Sequence, residues 1–415
     1  MYGTVDTGLV YNNTSFGGAT TAKESNKFSM DSGVLGGTKF GLKGSEDLGD
    51  GYSVSFQLEN GFDSDTGAMN QSMTVDEKTT NRMFGREARL SLNTPYGTAS
   101  FGRMGALTSG VGTYDIFMAG ADSLDGGNSD YIATGYWFDR ARYDNMVTLV
   151  TPEANGFTGY AQYSFQTTGT EDASVRNNQR YAALGLTFKN GPVEAVVVYD
   201  TILRTRTEED ADGDAKAVSF GVNYDFGVTK AFFGAQYGKN EALSVEALTG
   251  EDGVKKINVK GYNLHIGAAT PLPCGTLTVS AYYGDYEMVG NNEVTAKKYG
   301  IGLMHEYPLS KRTTFYTGAG FAQFDVENEP ESGKVAARQK GVNVTLGLNH
   351  KFKSSEPHGS LISSQTPDGL VPAGCFVMRK NHFSARVTAL LPSKHSKWLF
   401  NTSLLSFPPR VSANA

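Results

Sequence analysis

The chain has 415 residues, among them 50 glycines, 21 tyrosines and 24 phenylalanines but two cysteines, and its formal charge is −6 at pH 7. No run approaches the roughly 18 apolar residues of a membrane-spanning helix. Two cysteines exclude a disulfide framework or thiolate metal cluster, and the acidic balance offers nucleic acid no basic footprint.

Read in order, the chain alternates. Met1 is followed at once by "YGTVDTGLVY", which reads as a strand with no basic or apolar leader ahead of it, so the expected start lies upstream and a signal peptide is missing. In "GYSVSFQLENGF", Tyr52, Val54, Phe56 and Leu58 share one face, and Ser53, Ser55, Gln57 and Glu59 the other. "GFTGYAQYSF", "AVSFGVNYDF", "GYNLHIGAA", "TLTVSAYYGDY" and "GVNVTLGLNHKF" repeat the scheme. Seven short turns separate such runs, near 48, 96, 154, 191, 227, 273 and 310, and they alternate with longer polar segments such as 204–217 and 240–256. Seven hairpins and one strand at each terminus make 16 strands. The two kinds of connection then lie at opposite ends. A soluble sandwich also alternates; a closed antiparallel barrel with a wet lumen accounts for both faces, the even count and the loop asymmetry together.

Two segments break the pattern. From Arg103 to "TGYWF" near 135 run about 30 residues without strand periodicity, "MGALTSGVGTYDIFMAGADSLDGGNSDYIA", and a connection of that length in a compact protein is functional or disordered. After Phe352 the alternation stops and the charge balance inverts: residues 1–352 hold 30 Lys/Arg against 41 Asp/Glu, residues 353–415 hold 7 against 2. The expectation is a barrel over 1–352 and a non-barrel tail over 353–415, disordered or a gene-model or read-through artefact. "DADGD" (210–214) lacks the glycine and distal Glu of a calcium loop. No Ser–His–carboxylate set or metal-ligand spacing emerges among the six histidines, so neither an enzyme, a metal nor a cofactor is expected.

"MYGTVDTGLVY", "GTKFGLKGSEDLGDGYSVSFQLENGF", "NRMFGREARLSLNTPYGTASFGR", "ARYDN", "YPLSKRTTFYTGAG" and the closing "GVNVTLGLNHKF" together resemble the general diffusion porins of Gram-negative outer membranes, above all the beta-proteobacterial branch. The resemblance covers 1–352. It implies a 16-stranded transmembrane β-barrel, a homotrimer in a bilayer with lipopolysaccharide, with both barrel termini periplasmic. Ions and small hydrophilic solutes would diffuse passively through it; a closed adhesin-like barrel and a substrate-specific sugar or organic-anion channel are the alternatives.

By the same resemblance the aperiodic segment, about 104–135, is a third loop folded into the barrel as the constriction, with Asp115, Asp122, Asp125 and Asp130 as its acids. Facing it the family sets basic wall residues. Lys39, Lys43 and Arg142 have lumen parity. The family motif points to Arg86, whereas strict alternation selects Glu87 and Arg89; Arg103 also matches a basic family position. Such charges set the ion preference of a pore, and which sign wins stays open. The last strand of the family ends on a C-terminal Phe read by the barrel-insertion machinery; here that residue is Phe352, inside the chain.

Overall fold

A computed structural model describes residues 1–18, 23–75, 78–124, 137, 138, 140–205, 213–245, 255–328 and 335–353. Among them, strands dominate. The chain opens with β1 (Tyr2–Gly18), β2 (Lys23–Ser32), β3 (Lys39–Gly49) and β4 (Tyr52–Gly61). A small hairpin, β5 (Ser72–Val75) and β6 (Lys78–Asn81), precedes β7 (Glu87–Thr94) and β8 (Gly97–Gly105). A long excursion holding the short helix α1 (Phe117–Ala121) leads to β9 (Arg142–Val150), β10 (Phe157–Ser164), β11 (Arg180–Asn190) and β12 (Val193–Leu203). Longer strands follow: β13 (Ala215–Asp225), β14 (Lys230–Val245), β15 (Lys255–Leu272) and β16 (Gly275–Met288). The ring ends with β17 (Asn291–Pro308), β18 (Thr313–Asn328) and β19 (Val335–Lys353).

Sixteen of these, β1, β3, β4 and β7 to β19, form a closed antiparallel barrel. Closure is made by β1 against β19, from Tyr2↔Lys353 to Gly18↔Ala337. No edge is left in the ring, as lipid requires, because unpaired backbone groups in hydrocarbon have nothing to bond. No helix among the described residues is long and apolar enough to cross a membrane; the strands do the crossing. Their outward faces are apolar: Val342, Val344, Leu346 and Leu348 of β19 are 43–50% exposed, while Thr345 between them and Asn349 just after are buried inside.

All seven expected short turns are present, with backbone to match. At the β3–β4 turn Asp50 (φ 52°) and Gly51 (φ 80°) both take the left-handed region, the signature of a tight two-residue hairpin. The opposite end differs from expectation in one respect. The polar stretch 240–256 is strand up to Val245 and again from Lys255, and β16 and β17 meet in a tight turn at Gly290 (φ 84°). These strands carry polar residues on their outward face as well, which blurs the period-two signal.

β2 stands outside the ring. It pairs with β1 over Thr7–Phe16, and β3 takes over the same edge at Tyr2–Thr4. Between β2 and β3 the chain bends at Gly33 (φ 72°) and turns into the lumen, where Val34 is fully buried.

Candidate functional site

The excursion after β8 lies inside the barrel. Its two arms are joined at the neck, where Ala106 N donates to Ala141 O (3.2 Å) and Arg140 N to Thr108 O (3.1 Å). Leu107, Phe117, Met118, Ala121 and Trp137 then pack with Tyr181, Val196 and Val198 of the wall, Phe117 meeting Trp137 edge-on at 4.9 Å. Glycines on the inner wall make room for it. A Cβ on Gly221 would come within 2.4 Å of Ala121, and one on Gly234 within 2.7 Å of Trp137. Further along, Leu124 joins Val10, Val34, Met304 and Tyr316 in a buried cluster, so the segment crosses to the far wall.

Buried charge ties the returning arm down. Arg140 donates from Nε to Asp200 (2.6 Å) and from both Nη atoms to Glu241 (2.7 Å each), and Thr108 Oγ1 donates to Asp200 (3.2 Å). Burial opposes the arginine's charge, yet its bonds to Glu241 and the charge of Asp200 keep its pKa above the ordinary arginine value.

The described acids of the loop are engaged in its frame. Asp115 accepts from Gly110 N (3.1 Å) and, at the start of α1, from Ala119 N (3.0 Å). Asp122 is 2% exposed and accepts from Leu124 N (2.9 Å), Trp137 Nε1 (2.9 Å) and Tyr282 OH (2.8 Å). Asp125 and Asp130 lie outside the described residues. Asp122 and Ser123 also approach His265, at 3.6 and 3.4 Å, but both reach Nε2. A hydrolytic relay needs serine and aspartate on opposite ring nitrogens, so this trio fastens the loop to β15.

The opposite wall is basic. Arg86 Nε donates to Glu59 Oε1 (2.8 Å), which Lys39 approaches at 3.9 Å, and Tyr2 OH donates to the other Glu59 oxygen (2.8 Å). Arg89 donates to Glu87 (3.2 Å), Ser91 (2.8 Å), Gln57 (3.0 Å) and the loop's Thr113 (3.3 Å), with its guanidinium 5.4 Å from the Tyr114 ring. Both arginines therefore face inward. Arg89 does so by strand alternation; Arg86 sits in the bend before β7, where alternation does not bind it. Arg142 has Arg86, Glu59, Arg103 and Glu87 as its charged surroundings, and its Nε and Nη2 are buried without a hydrogen-bond partner among the described residues. Lys43 is exposed, its ammonium 5.2 Å above the Tyr2 ring. Arg103 borders this group through Arg142 but is committed to other partners: it stands opposite Ala88 and donates to Gly85 O (2.7 Å) and Asp144 (2.7 Å), a carboxylate shared with Arg82.

Three residues that alternation marks as inward, but to which the sequence assigns no task, build this wall. Glu59 and Glu87 position the arginines, and Glu87 also accepts from Thr113 N (2.6 Å) and Thr113 Oγ1 (2.9 Å), joining wall to loop. Asp6, fully buried, accepts from Val34 N and Gly36 N (3.1 Å each), Tyr316 OH (2.8 Å) and Asn349 Nδ2 (2.7 Å). It thereby holds the inward turn between β2 and β3, whose Gly37 lies under Arg86: a Cβ there would come within 2.6 Å of Nη1. At the barrel seam, the Phe352 ring covers Gly3.

This architecture has relatives. The profile of Gram-negative porins matches residues 1–327. An outer membrane porin protein of Bordetella pertussis is 30% identical over 388 residues, covering 85% of this chain and 94% of that protein. Outer membrane porin protein 32 of Delftia acidovorans is 26% identical over 372 residues, covering 85% and 93%. Among solved structures, an anion-selective porin from Comamonas acidovorans has the same fold with a TM-score of 0.55 at 23% identity, over 85% of this chain and 98% of that one. OmpT of Vibrio cholerae in its trimer form gives 0.51 at 16%, over 84% and 99%. A closed barrel with a polar lumen narrowed from within, and kinship over most of both chains, converge: the chain belongs to the Gram-negative porin family, and is an integral outer-membrane channel for passive diffusion of ions and small hydrophilic solutes rather than an enzyme.

Proposed function

We propose that the throat of this channel lies between the infolded third loop and the wall of β1, β3, β4 and β7, and that it favours anions. One observation carries this reading: Lys39, Arg86, Arg89 and Arg142 share only two carboxylates, Glu59 and Glu87, among the described residues. Lys43 adds a further charge below them. Asp115 and Asp122 act by holding the loop, their oxygens being bonded to it and to the wall. Asp125 and Asp130 remain the acids available to weaken the preference, and Arg103 acts at one remove, through Asp144. In a narrow passage of reduced dielectric, an excess of fixed positive charge raises the local anion concentration. The test is the reversal potential of the full chain in a planar bilayer under a potassium chloride gradient. A potential of the sign set by chloride supports the reading, and one set by potassium overturns it.

The working unit of this reading is a homotrimer in a lipopolysaccharide-bearing bilayer, delivered by the barrel-insertion machinery through the Phe352 end of β19. The outward β2, with Phe28 71% and Met30 56% exposed, supports contact with a second copy. Residues 353–415 are dispensable: deletion from 354 onward leaves conductance and assembly unchanged, and loss of assembled channel on a native gel would sink that assignment.

A further inference from the structure

Three adjacent strands carry a lysine at the same level of the outer wall. Lys216 of β13 is directly opposite Lys239 of β14, and Lys239 directly opposite Lys260 of β15. Like charges directly opposite in an antiparallel pair repel, and here the repulsion is doubled. Among the described residues, the one carboxylate in ion-pair contact with the three is Glu287, 2.8 Å from Lys260. The lysines point away from the lumen, since Ala217, Gly238 and Val259, their sequence neighbours, are buried inside.

What lies beneath them fixes their depth. The next outward row is Val218, Tyr237 and Tyr262, in register and 40–54% exposed. The row after that is Phe220, Ala235 and Leu264, and then Val222, Phe233 and Ile266. A wall that passes from aliphatic to tyrosine to lysine traces the boundary between hydrocarbon and headgroups, at the long-loop end of the barrel. Beside the row, Tyr237, Lys260, Tyr262, Asp285 and Glu287 line an outward crevice of about 310 Å³.

From this ladder we infer that the outer wall binds a phosphorylated glycolipid headgroup, with Lys216, Lys239 and Lys260 on its phosphates and its acyl chains on the apolar rows below. Strands about 4.8 Å apart place the outer two ammoniums roughly 10 Å from one another, a spread that serves two phosphates better than one. Asp285 and Glu287 at the crevice accept from sugar hydroxyls, which a phosphate-only ligand would not supply. This assignment rests on the lipopolysaccharide-bearing bilayer of the preceding reading and gives that partner a place on the barrel.

The test uses the full chain in detergent, loaded with diphosphoryl lipid A, and native mass spectrometry to count retained lipid. Wild type is expected to retain it, and Lys216→Gln/Lys239→Gln/Lys260→Gln to hold it roughly 100-fold more weakly, taking about a factor of five per lysine at a membrane surface. The corresponding triple arginine variant should restore retention. Lipid A stripped of phosphate should bind wild type and the glutamine variant alike. Equal retention of diphosphoryl lipid A by wild type and the glutamine variant overturns this site while leaving the lipopolysaccharide partner standing; no retention by wild type overturns both. Displacement by millimolar inorganic phosphate would mark a free-anion site and overturn the glycolipid assignment. Bilayer conductance, measured on the same samples, should be unchanged by the substitutions, because none of the three faces the lumen.

Discussion

The two sides of the lumen are built on opposite principles. Along β11 to β15 the third loop is packed as a protein interior is packed, with aromatic rings against the wall, glycines where its backbone comes close, and a buried arginine between two carboxylates. Across from it, Lys39, Arg86, Arg89 and Arg142 have only Glu59 and Glu87 as carboxylate partners among the described residues, so cations outnumber carboxylates there. A ring of 16 strands encloses far more space than side chains from its own wall can fill; an inserted segment fills one side, and the proposed function leaves the other to conduct. In the proposed reading, the filled side sets the width of the passage and the open side sets its charge.

The sharpest way to break this division is to cut the tie on the filled side. Arg140→Ala leaves Asp200 and Glu241 facing each other in a buried site. Removal of one member of a buried ionic network is destabilising by about 3–5 kcal/mol, and the returning arm of the loop carries that loss first. Single-channel recordings should show a larger and noisier conductance, with the barrel itself still migrating as folded on a cold gel. A conductance identical to wild type would mean that the loop is held by its apolar packing alone.

Asp122→Asn asks the same question more gently. The amide keeps an acceptor for Tyr282 or Trp137 but loses the charge that strengthens both bonds, a difference of about 1–2 kcal/mol. More frequent brief closures are expected, with the reversal potential unmoved, because a carboxylate that is 2% exposed and bonded on both oxygens adds little to the field in the pore. A reversal potential that moves toward anions would instead make Asp122 a pore charge, which is the role expected of the loop acids from the sequence resemblance.

How far the sequence could have led to this division depends on where each residue sits. Strands and turns were legible because lipid outside and water inside impose period two on every crossing, and because turns such as Asp50–Gly51 need residues that tolerate positive φ. The third loop was legible by length alone. Its fastening was not: Arg140 meets residues 60 and 101 positions away, and Asp6 bonds Tyr316 and Asn349 across the barrel closure, pairings that no local pattern carries. Arg86 shows the limit most clearly. Alternation assigns a face only inside a hydrogen-bonded ladder, and the residue just before β7 is free to turn inward alongside Arg89.

On the open side, Arg86→Gln should lower the wall's positive excess by one charge. A unit charge at about 4 Å is worth about 1 kcal/mol even in bulk water, so the chloride-to-potassium permeability ratio should fall roughly five-fold while conductance changes little. An unchanged ratio would move the selective charges elsewhere, to Lys43 or to loop acids outside the described residues.

The smallest change tests whether the open side is also built, or merely left over. Gly37 belongs to the turn that Asp6 holds inside the lumen, and its missing side chain gives the Arg86 guanidinium a seat. Gly37→Ala adds one methyl group 2.6 Å from Nη1, too close for any ordinary contact, so the guanidinium must move by about 1 Å while its charge remains. If Arg86 acts through position as well as charge, the permeability ratio should shift by less than about two-fold, in the direction set by Arg86→Gln, and Asp6→Asn should mimic it by loosening the turn from the other side. If neither variant moves the ratio, the throat reads only its total charge, and the turn between β2 and β3 serves the barrel wall rather than the passage. A shift in one variant without the other would separate the seat of Arg86 from the anchor that holds the turn, and place the selective step at whichever of the two responds.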